Sequence, residues 1–386
     1  MAVGVGGQDN ITLTGDNHFI AGGADNDTIT ILDGIGVALG DQGQIEFRRD
    51  IPAGAVTGTV IETADNGQGG DDVIETTHDR LIAFGGAGSD QIRVISGGSA
   101  RLISMGDGGK VWLDEQDRPI ELMTWELAFG GNDVISGGSD DDVIAGGIGN
   151  DNLSGNGDHD ILLGDTGHLV WDIRDGVRTL VLVTAANAST TAHGGSDTIS
   201  GGEGDDLIYG GTGNDDLSGN AGFDVISNFQ AKLVLPLPEL DPIRKIVYWG
   251  DENTHSLLGR SLQLEQLKAF TPLASGGDVG HGNNQLSGGD GDDIFLITPG
   301  GTDVITEQTG DDAISFQLAN QGVFFDPDLL GTAQGLYNPV ALTGPTLRLE
   351  GTETAWRRSG IENVIGTPYS DTVYVSPMPV PRTLKG

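Results

Sequence analysis

The large apolar side chains between residues 201 and 227 recur once every nine positions. This stretch reads GGEGDDLIY, GGTGNDDLS and GNAGFDVIS, and only the eighth position (Ile208, Leu217, Ile226) must be large and apolar. The glycines permit a tight turn, an aspartate closes that turn, and the last three residues form a short strand. Two nine-residue units make one 18-residue coil with a thin core. The pattern therefore predicts an all-β fold, a parallel β-roll of stacked coils.

Five units fill every position of the pattern GGxGxDxUx, in which U is a large apolar residue: 85–93, 146–154, 201–209, 210–218 and 288–296. This nonapeptide resembles the repeat of the RTX (repeats-in-toxin) calcium-binding β-roll. The resemblance implies that each calcium ion lies between turns that are 18 residues apart. It also implies that the ligands are the aspartates at position six and the carbonyl groups of the glycine-rich turns.

The position-six aspartates fall into pairs 18 residues apart, and we expect each pair to stack on one edge of the roll. These pairs are the candidate metal ligands: Asp9 with Asp27, Asp72 with Asp90, Asp133 with Asp151, Asp142 with Asp160, Asp197 with Asp215, and Asp206 with Asp224. In the first block His18 replaces an aspartate, so we expect metal on one edge only. Asp293, Asp303 and Asp312 extend the set, although an extra residue near Ile297 should break the 18-residue pairing. Asp371 belongs to a final, partial block.

Segments without the nonapeptide separate the blocks. Three of them contain a GD-x-G turn, at Gly40, Gly106 and Gly164, with apolar and polar residues alternating nearby, which predicts β-hairpins. Residues 256–270, in a Pro- and Leu-rich segment, predict one short helix, which either covers the roll or binds a partner. The predicted order is β-roll blocks at 1–30, 67–93, 128–163, 192–227 and 279–315, inserts at 31–66, 94–127, 164–191, 228–278 and 316–356, and the start of a further roll with a tail at 357–386.

Composition agrees with a repeat architecture. The 386 residues include 65 glycines and only 5% aromatic residues, which leaves little for a conventional globular core, whereas stacked coils need none. The formal net charge of −38 argues against nucleic acid or an anionic membrane as a partner and favours divalent cations. The absence of cysteine excludes disulfides and thiol chemistry. No apolar run approaches the roughly 18 residues of a membrane span.

The chemistry favours several calcium ions. Calcium takes six to eight hard oxygen ligands with tolerant geometry, and the turns offer carboxylates and backbone carbonyls. Magnesium requires stricter octahedral geometry, so it is the weaker candidate. Glycine-rich coils lose much entropy on ordering, and stacked carboxylates repel each other. We therefore expect a chain that is disordered at low calcium and folds when calcium binds.

The resemblance also implies a location. RTX proteins are typically exported unfolded by type I secretion, through a signal at the C-terminus, so we expect an extracellular or cell-surface protein. The N-terminal residues MAVGVGGQDN do not show the pattern of a signal peptide. The last residues, SPMPVPRTLKG, show no clear export signal either, and we therefore expect a fragment of a longer chain.

Three functions remain open. The first is a calcium-dependent structural or adhesive segment, which the several inserts favour. The second is a secretion and folding module of an enzyme or toxin, and the third is a glycan-binding surface module. We expect no enzymatic activity, since HExxH, G-x-S-x-G and phosphate-loop motifs are absent. The five tryptophans, all in inserts, either stack on sugars or pack the inserts against the roll: Trp112, Trp125, Trp171, Trp249 and Trp356. Exposed coil ends suggest end-to-end self-association.

Overall fold

The structure is a computed structural model of the chain. It describes residues 2–3, 6–15, 18–48, 58–64, 69–77, 80–95, 100–115, 118–124, 129–174, 177–185, 194–228, 231–234, 270–272, 282–307, 309–310, 312–325, 333–337, 345–351, 361–373 and 383–385. These residues form strands and turns, with no helix among them. The helix predicted over residues 256–270 lies outside the described residues except for Phe270. None of the described residues belongs to a helix long and apolar enough to cross a membrane.

Two long sheets form the roll, and the predicted parallel β-roll is confirmed. The first, which we call the middle sheet, contains in spatial order β1 (Ala2–Val3), β3 (His18–Ala21), β5 (Ile35–Leu39), β9 (Arg80–Phe84), β11 (Arg101–Met105), β15 (Val143–Ala145), β17 (Ile161–Leu163), β21 (Leu207–Tyr209), β23 (Val225–Ser227), β27 (Ile294–Leu296), β29 (Asp312–Ser315), β33 (Ile361–Ile365) and β35 (Thr383–Lys385). All its strands are parallel.

The second sheet of the roll, the outer sheet, has strands that alternate with those of the middle sheet along the chain. It contains β2 (Asn10–Leu13), β4 (Thr28–Ile31), β8 (Val73–Thr76), β10 (Gln91–Val94), β14 (Val134–Ser136), β16 (Asn152–Gly157), β20 (Thr198–Glu203), β22 (Asp216–Ala221), β26 (Gln285–Asp290), β28 (Thr302–Glu307), β32 (Thr346–Gly351) and β31 (Gln334–Gly335). Only β31 is antiparallel to its neighbour. A separate parallel pair joins β30 (Phe324–Phe325) and β34 (Thr372–Val373).

Strands from the first four inserts form a third sheet, the insert sheet, which is antiparallel. Its order is β25 (Phe270–Pro272), β24 (Ala231–Val234), β19 (Val177–Ala185), β18 (Gly167–Arg174), β13 (Pro119–Thr124), β12 (Gly109–Leu113), β7 (Gly58–Thr63) and β6 (Gly43–Arg48). The three predicted hairpins are present as β6–β7, β12–β13 and β18–β19. Neighbouring hairpins also pair with each other, through β7 with β12 and β13 with β18. The inserts at 31–66, 94–127, 164–191 and 228–278 thus contribute to one sheet, whereas the insert at 316–356 does not.

The roll continues without a break across the inserts. Strands on either side of an insert are neighbours in the outer sheet, with Thr28 opposite Val73 and Gln91 opposite Val134. The separate roll blocks of the sequence therefore stack into one roll. Three predicted inserts are also shorter than expected, because β5, β11 and β32 belong to the roll.

Apolar side chains fill two layers, one on each face of the middle sheet. Between the middle and outer sheets lie position-eight residues such as Ile208 and Leu217, as the repeat predicts. Between the middle and insert sheets, Val143 and Tyr209 pack in one cluster with Trp171 of the insert sheet. The middle sheet is therefore buried on both faces, which explains why β15, β17, β21 and β23 are buried at every position.

Candidate metal centre

The position-six aspartates stack in two columns, one along each edge of the roll. In each column, the backbone N–H of one residue donates a hydrogen bond to the side chain of the equivalent residue in the next coil. Column A contains Asp9, Asp27, Asp72, Asp90, Asp133, Asp151, Asp197, Asp215, Asn284 and Asp303. Column B contains Asp142, Asp160, Asp206, Asp224, Asp293 and Asp312.

The columns include every predicted pair and also join pairs across inserts. Asp27 donates to Asp72, 45 residues away, at 2.6 Å, and Asp224 donates to Asp293, 69 residues away, at 2.9 Å. The extra residue near Ile297 does not break the stack, because Asp293 donates to Asp312 over 19 residues at 2.9 Å. The 18-residue spacing is lost there, as expected, but the stacking continues at a spacing of 19 residues.

The first carboxylate oxygen, Oδ1, holds the stack together, whereas the second, Oδ2, has no hydrogen-bond partner in most coils. Each such Oδ2 atom is buried, and the residues are Asp27, Asp72, Asp90, Asp133, Asp151, Asp160, Asp197, Asp206, Asp215, Asp224 and Asp293. A buried carboxylate oxygen without a hydrogen-bond partner destabilises the fold, and a cation bound there would remove this cost.

In many coils a glycine backbone lies close to the aspartate Oδ2 and to a carbonyl oxygen of the next coil. A Cβ atom placed on Gly85 would lie 2.2 Å from Oδ2 of Asp90 and 2.2 Å from the carbonyl oxygen of Gly106 in the next coil. We call this combination of a first-position glycine, an aspartate Oδ2 and the next coil's carbonyl a cradle. Cradles occur at Asp27, Asp72, Asp90, Asp133, Asp151 and Asp197 in column A and at Asp142, Asp160 and Asp206 in column B. Their hard oxygen donors fit calcium.

Burial raises the pKa of Asp90 and Asp197 in column A, and like charges raise it further. The pKa of Asp90 rises to about 9, mainly because of burial and further because of Asp72. The pKa of Asp197 rises to about 10 through burial and then through Asp165 and Asp151. A bound cation reverses this penalty, because it favours the ionised form.

Side chains alone do not complete a metal site. Among the described residues, no group of three or more histidine, cysteine, aspartate or glutamate side chains is placed to hold an ion. The backbone carbonyls of the cradles must therefore supply part of the coordination, as the resemblance to the RTX repeat implies. Carboxylate and carbonyl oxygens together are a donor set that calcium accepts and that softer metals do not prefer.

Column B begins only halfway along the roll. The earlier coils place His18, Gly36, Leu81 and Leu102 at the equivalent positions, and Leu102 donates its N–H to Asp142 at 2.6 Å. Without a carboxylate turn, the strand extends through that edge, so β9 and β11 have five residues where β15 and β17 have three. His18 thus stands where later coils have a column B aspartate, and metal binding on only one edge of the first block stays a prediction.

Three predicted ligands have oxygens engaged by the protein itself. Oδ2 of Asp142 accepts the N–H of Gly138 at 2.7 Å, and Oδ2 of Asp303 accepts the Asn228 amide at 2.9 Å. Asp371 lies in neither column. Its oxygens accept the N–H groups of Val323 and Thr367, at 2.9 and 2.7 Å. The geometry therefore gives Asp371 a turn-forming role instead of a place among the stacked ligands.

A further set of buried aspartates was missed by the sequence analysis. Asp41, Asp107 and Asp165 follow the first glycine of the GD-x-G turns and are 5%, 2% and 6% exposed. They lie where the chain leaves the roll to form a hairpin, beside column A. The recurring GD-x-G turn was the available signal, but on its own it indicated only a surface turn.

One family of known proteins matches part of the chain. The model of the RTX calcium-binding nonapeptide repeat matches in four copies, over residues 127–168, 191–226 and 279–296. These ranges include cradles of both columns, at Asp133 and Asp206 for example. Neither a curated protein nor a solved structure matches the chain.

Proposed function

Because this chain carries RTX calcium-binding nonapeptide repeats in a β-roll, we propose that it is a structural or adhesive segment of a secreted or cell-surface protein, which folds when it binds calcium outside the cell. The observation that carries the proposal is the row of cradles, all of which except that of Asp142 have a buried and unpaired carboxylate oxygen. Such repeats are typical of secreted proteins. We propose no catalytic role for the chain.

Calcium supplies the positive charge that the columns need. Each cradle would hold an ion through the aspartate Oδ2 and the next coil's glycine carbonyl, while Oδ1 keeps its hydrogen bond to the neighbouring coil. Each ion would therefore connect consecutive coils, and its binding would offset the repulsion between carboxylates such as Asp206 and Asp224. A preformed site does not exist in the unfolded chain, so the binding free energy becomes folding free energy.

The role of a rigid spacer is supported by the continuity of the roll. At the inserts 31–66, 94–127, 164–191 and 228–278, the strands before and after the insert are neighbours in the outer sheet. The insert sheet adds a third layer along one side, and a module that only guided export would have no need for it. Secretion as part of an enzyme or toxin remains the alternative, and a catalytic domain encoded on the same gene would favour it.

Equilibrium binding of calcium tests the proposal. We expect the protein to bind several calcium ions and to keep them in excess magnesium. We expect the double variant Asp206→Asn with Asp224→Asn to bind fewer calcium ions or to bind them more weakly. The matched control is Asp33→Asn with Asp216→Asn, which removes two exposed carboxylates and leaves both columns intact. A protein that binds no calcium, or a column variant that binds as well as the control, would contradict the proposal.

Glycan binding is a second candidate, favoured by the placement of Trp112. Its neighbours Val111 and Leu113 are buried towards the roll, so Trp112 faces away from the roll on the outer side of the insert sheet. Lys110 Nζ lies 4.8 Å from the centre of its ring. Quenching of tryptophan fluorescence by an extracellular glycan, lost in Trp112→Leu, would support this role. Unchanged fluorescence with all glycans offered would count against it.

End-to-end association of copies is a further proposal. Among the described residues, β1 and β35 pair on one side only. Such edges accept a further strand. Light scattering should then show mass that grows with calcium, and a constant monomer mass at every calcium concentration would refute the idea.

A further inference from the structure

Three inserts leave the roll at the same point of the coil. In each case the chain departs after a first-position glycine and an aspartate, at Gly40–Asp41, 106–107 and 164–165. It returns through two glycines that lead to the position-six aspartate of the same coil, as 69–70 lead to Asp72. We call these crossings the necks, and Asp41, Asp107 and Asp165 the neck aspartates.

The neck aspartates hold the departing and returning chains together. The carboxylate of Asp41 accepts a hydrogen bond from the N–H of Ala87 in the next coil at 2.6 Å. The N–H of Gly70, in the returning chain, also lies near this carboxylate and lowers its pKa, although burial raises the pKa more. The carboxylate of Asp165 accepts the N–H of Thr212 at 2.7 Å and its hydroxyl at 2.9 Å. Each neck is thus closed by a buried negative charge.

One oxygen in two of these groups has no partner. Oδ1 of Asp41 and Oδ1 of Asp165 are buried without a hydrogen bond, although the residues are only 5% and 6% exposed. The carboxylate of Asp107 differs, because each of its oxygens accepts a hydrogen bond, Oδ1 from the N–H of Gly131 and Oδ2 from the N–H of Ile148. An unpaired oxygen at this depth needs a proton or a cation.

Each of the two necks adjoins a cradle of column A. A Cβ atom on Gly40 would lie 2.2 Å from Oδ2 of Asp72, and one on Gly164 would lie 2.3 Å from Oδ2 of Asp197. Asp41 and Asp165 follow these glycines directly. Their charges raise the pKa values of Asp72 and Asp197, so the carboxylates of each neck are close enough to interact.

We propose that Asp41 and Asp165 each add a second carboxylate to a cradle, forming neck sites that bind a divalent cation and thereby close the insert onto the roll. One neck site combines Asp41, Asp72 and the Gly85 carbonyl, and the other combines Asp165, Asp197 and the Gly210 carbonyl. The neck sites differ from the calcium sites that the nonapeptide repeat implies in two ways. An aspartate replaces the glycine at the second position of the repeat, and a hairpin separates this aspartate from the position-six aspartate of the same coil. The inference rests on the proposed calcium binding by the roll.

The neck sites should bind calcium more tightly than ordinary cradles, because affinity rises with the number of charged ligands. Calcium titrations by calorimetry at pH 7.5 would compare the wild type with Asp41→Asn, Asp165→Asn and the double variant. We expect each substitution to weaken one site by about tenfold. The control Asp33→Asn with Asp216→Asn should match the wild type. Neck variants that also match it would overturn the proposal and indicate that each pair shares a proton.

Crystals of the wild-type protein grown with calcium provide a second test that needs no variant. The proposal predicts anomalous scattering from an ion within about 2.3 to 2.6 Å of oxygens of both Asp41 and Asp72. An ion that contacts Asp72 but not Asp41 would overturn the neck site and leave the proposed function intact. Columns without any ion, in crystals soaked in calcium, would instead contradict calcium binding by the roll.

Discussion

Val134 and Val143 occupy the same seventh position of consecutive nonapeptides, yet Val134 is 47% exposed and Val143 is 2% exposed. The first belongs to the outer sheet and the second to the middle sheet, where the insert sheet covers it. We expect Val143→Ala to lower the free energy of unfolding by about 1 to 3 kcal/mol, because it removes buried methyl groups. Urea unfolding at saturating calcium measures this.

The control for this prediction is Val134→Ala, which makes the same chemical change at the exposed position. It should change the free energy of unfolding by less than about 0.5 kcal/mol. Equal losses in the two variants would show that the insert sheet does not cover the middle sheet in solution.

Gly85 tests the cradle, because a side chain there would fill it. The added methyl group of Gly85→Ala would meet Oδ2 of Asp90 and the carbonyl oxygen of Gly106, both at 2.2 Å. We expect a higher calcium concentration at the folding midpoint and a loss of about 1 to 3 kcal/mol in stability. In Gly157→Ala the new methyl group meets only a Ser139 atom at 3.7 Å, so this variant should behave as the wild type. A wild-type midpoint in Gly85→Ala would argue against ions in the cradles.

Stability of the metal-free protein should depend on pH in an unusual direction. The pKa values of Asp90, Asp197 and Asp224 are raised from 3.8 to about 9, 10 and 9 in the folded state. A raised pKa means that protonation favours the fold, so this contribution is complete below pH 3.8 and is lost as the pH rises through about 9 to 10. After removal of calcium by chelating resin, lowering the pH from 10 to 5 should therefore increase the β signal.

Calcium should reverse this trend, because it binds the ionised carboxylates and competes with protons. At saturating calcium we expect the roll to stay folded at pH 8, and the calcium affinity to fall as the pH is lowered. Metal-free protein whose β signal stays constant or falls on acidification would mean that the column carboxylates are not buried as described.

A comparison of Asp151 with Asp371 tests whether calcium binding requires a place in one of the columns, because both occupy position six but only Asp151 lies in a column. Oδ2 of Asp151 is buried in a cradle, whereas the oxygens of Asp371 accept hydrogen bonds within its own turn. We expect Asp151→Asn to weaken calcium binding, and Asp371→Asn to leave it unchanged while lowering stability by about 1 kcal/mol. If both variants weakened calcium binding equally, Asp371 would be a calcium ligand, contrary to this prediction.

The repeat predicted the roll and the columns well, because its nine-residue period fixes both the turn and the aspartate within it. Position eight identified the core between the middle and outer sheets, as Ile208 and Leu217 illustrate. The third layer was not foreseen. The sequence did contain a signal for it. Positions seven and nine of a nonapeptide are both apolar, as in Ile161 and Leu163, only in units whose strand belongs to the middle sheet. This difference between units can be interpreted only when it is known that the hairpins form a sheet that packs on the middle sheet.

The columns across inserts and the neck aspartates were harder to foresee from sequence. Asp27 and Asp72 are 45 residues apart, and the length of an insert does not reveal that the chain returns to the same coil. Similarly, Asp41 belongs to a short turn motif, and its burial depends on the next coil, which contributes Ala87. Both features arise from stacking between distant segments, which a local pattern does not encode.

Far-UV circular dichroism during a calcium titration tests the central claim most directly. Starting from protein in excess chelator, we predict a largely disordered spectrum and a cooperative transition to β structure as calcium is added. The same concentrations of magnesium should not produce it. A spectrum that already shows the full β content in chelator would contradict the account, because the two apolar layers would then hold the roll without any ion in the cradles.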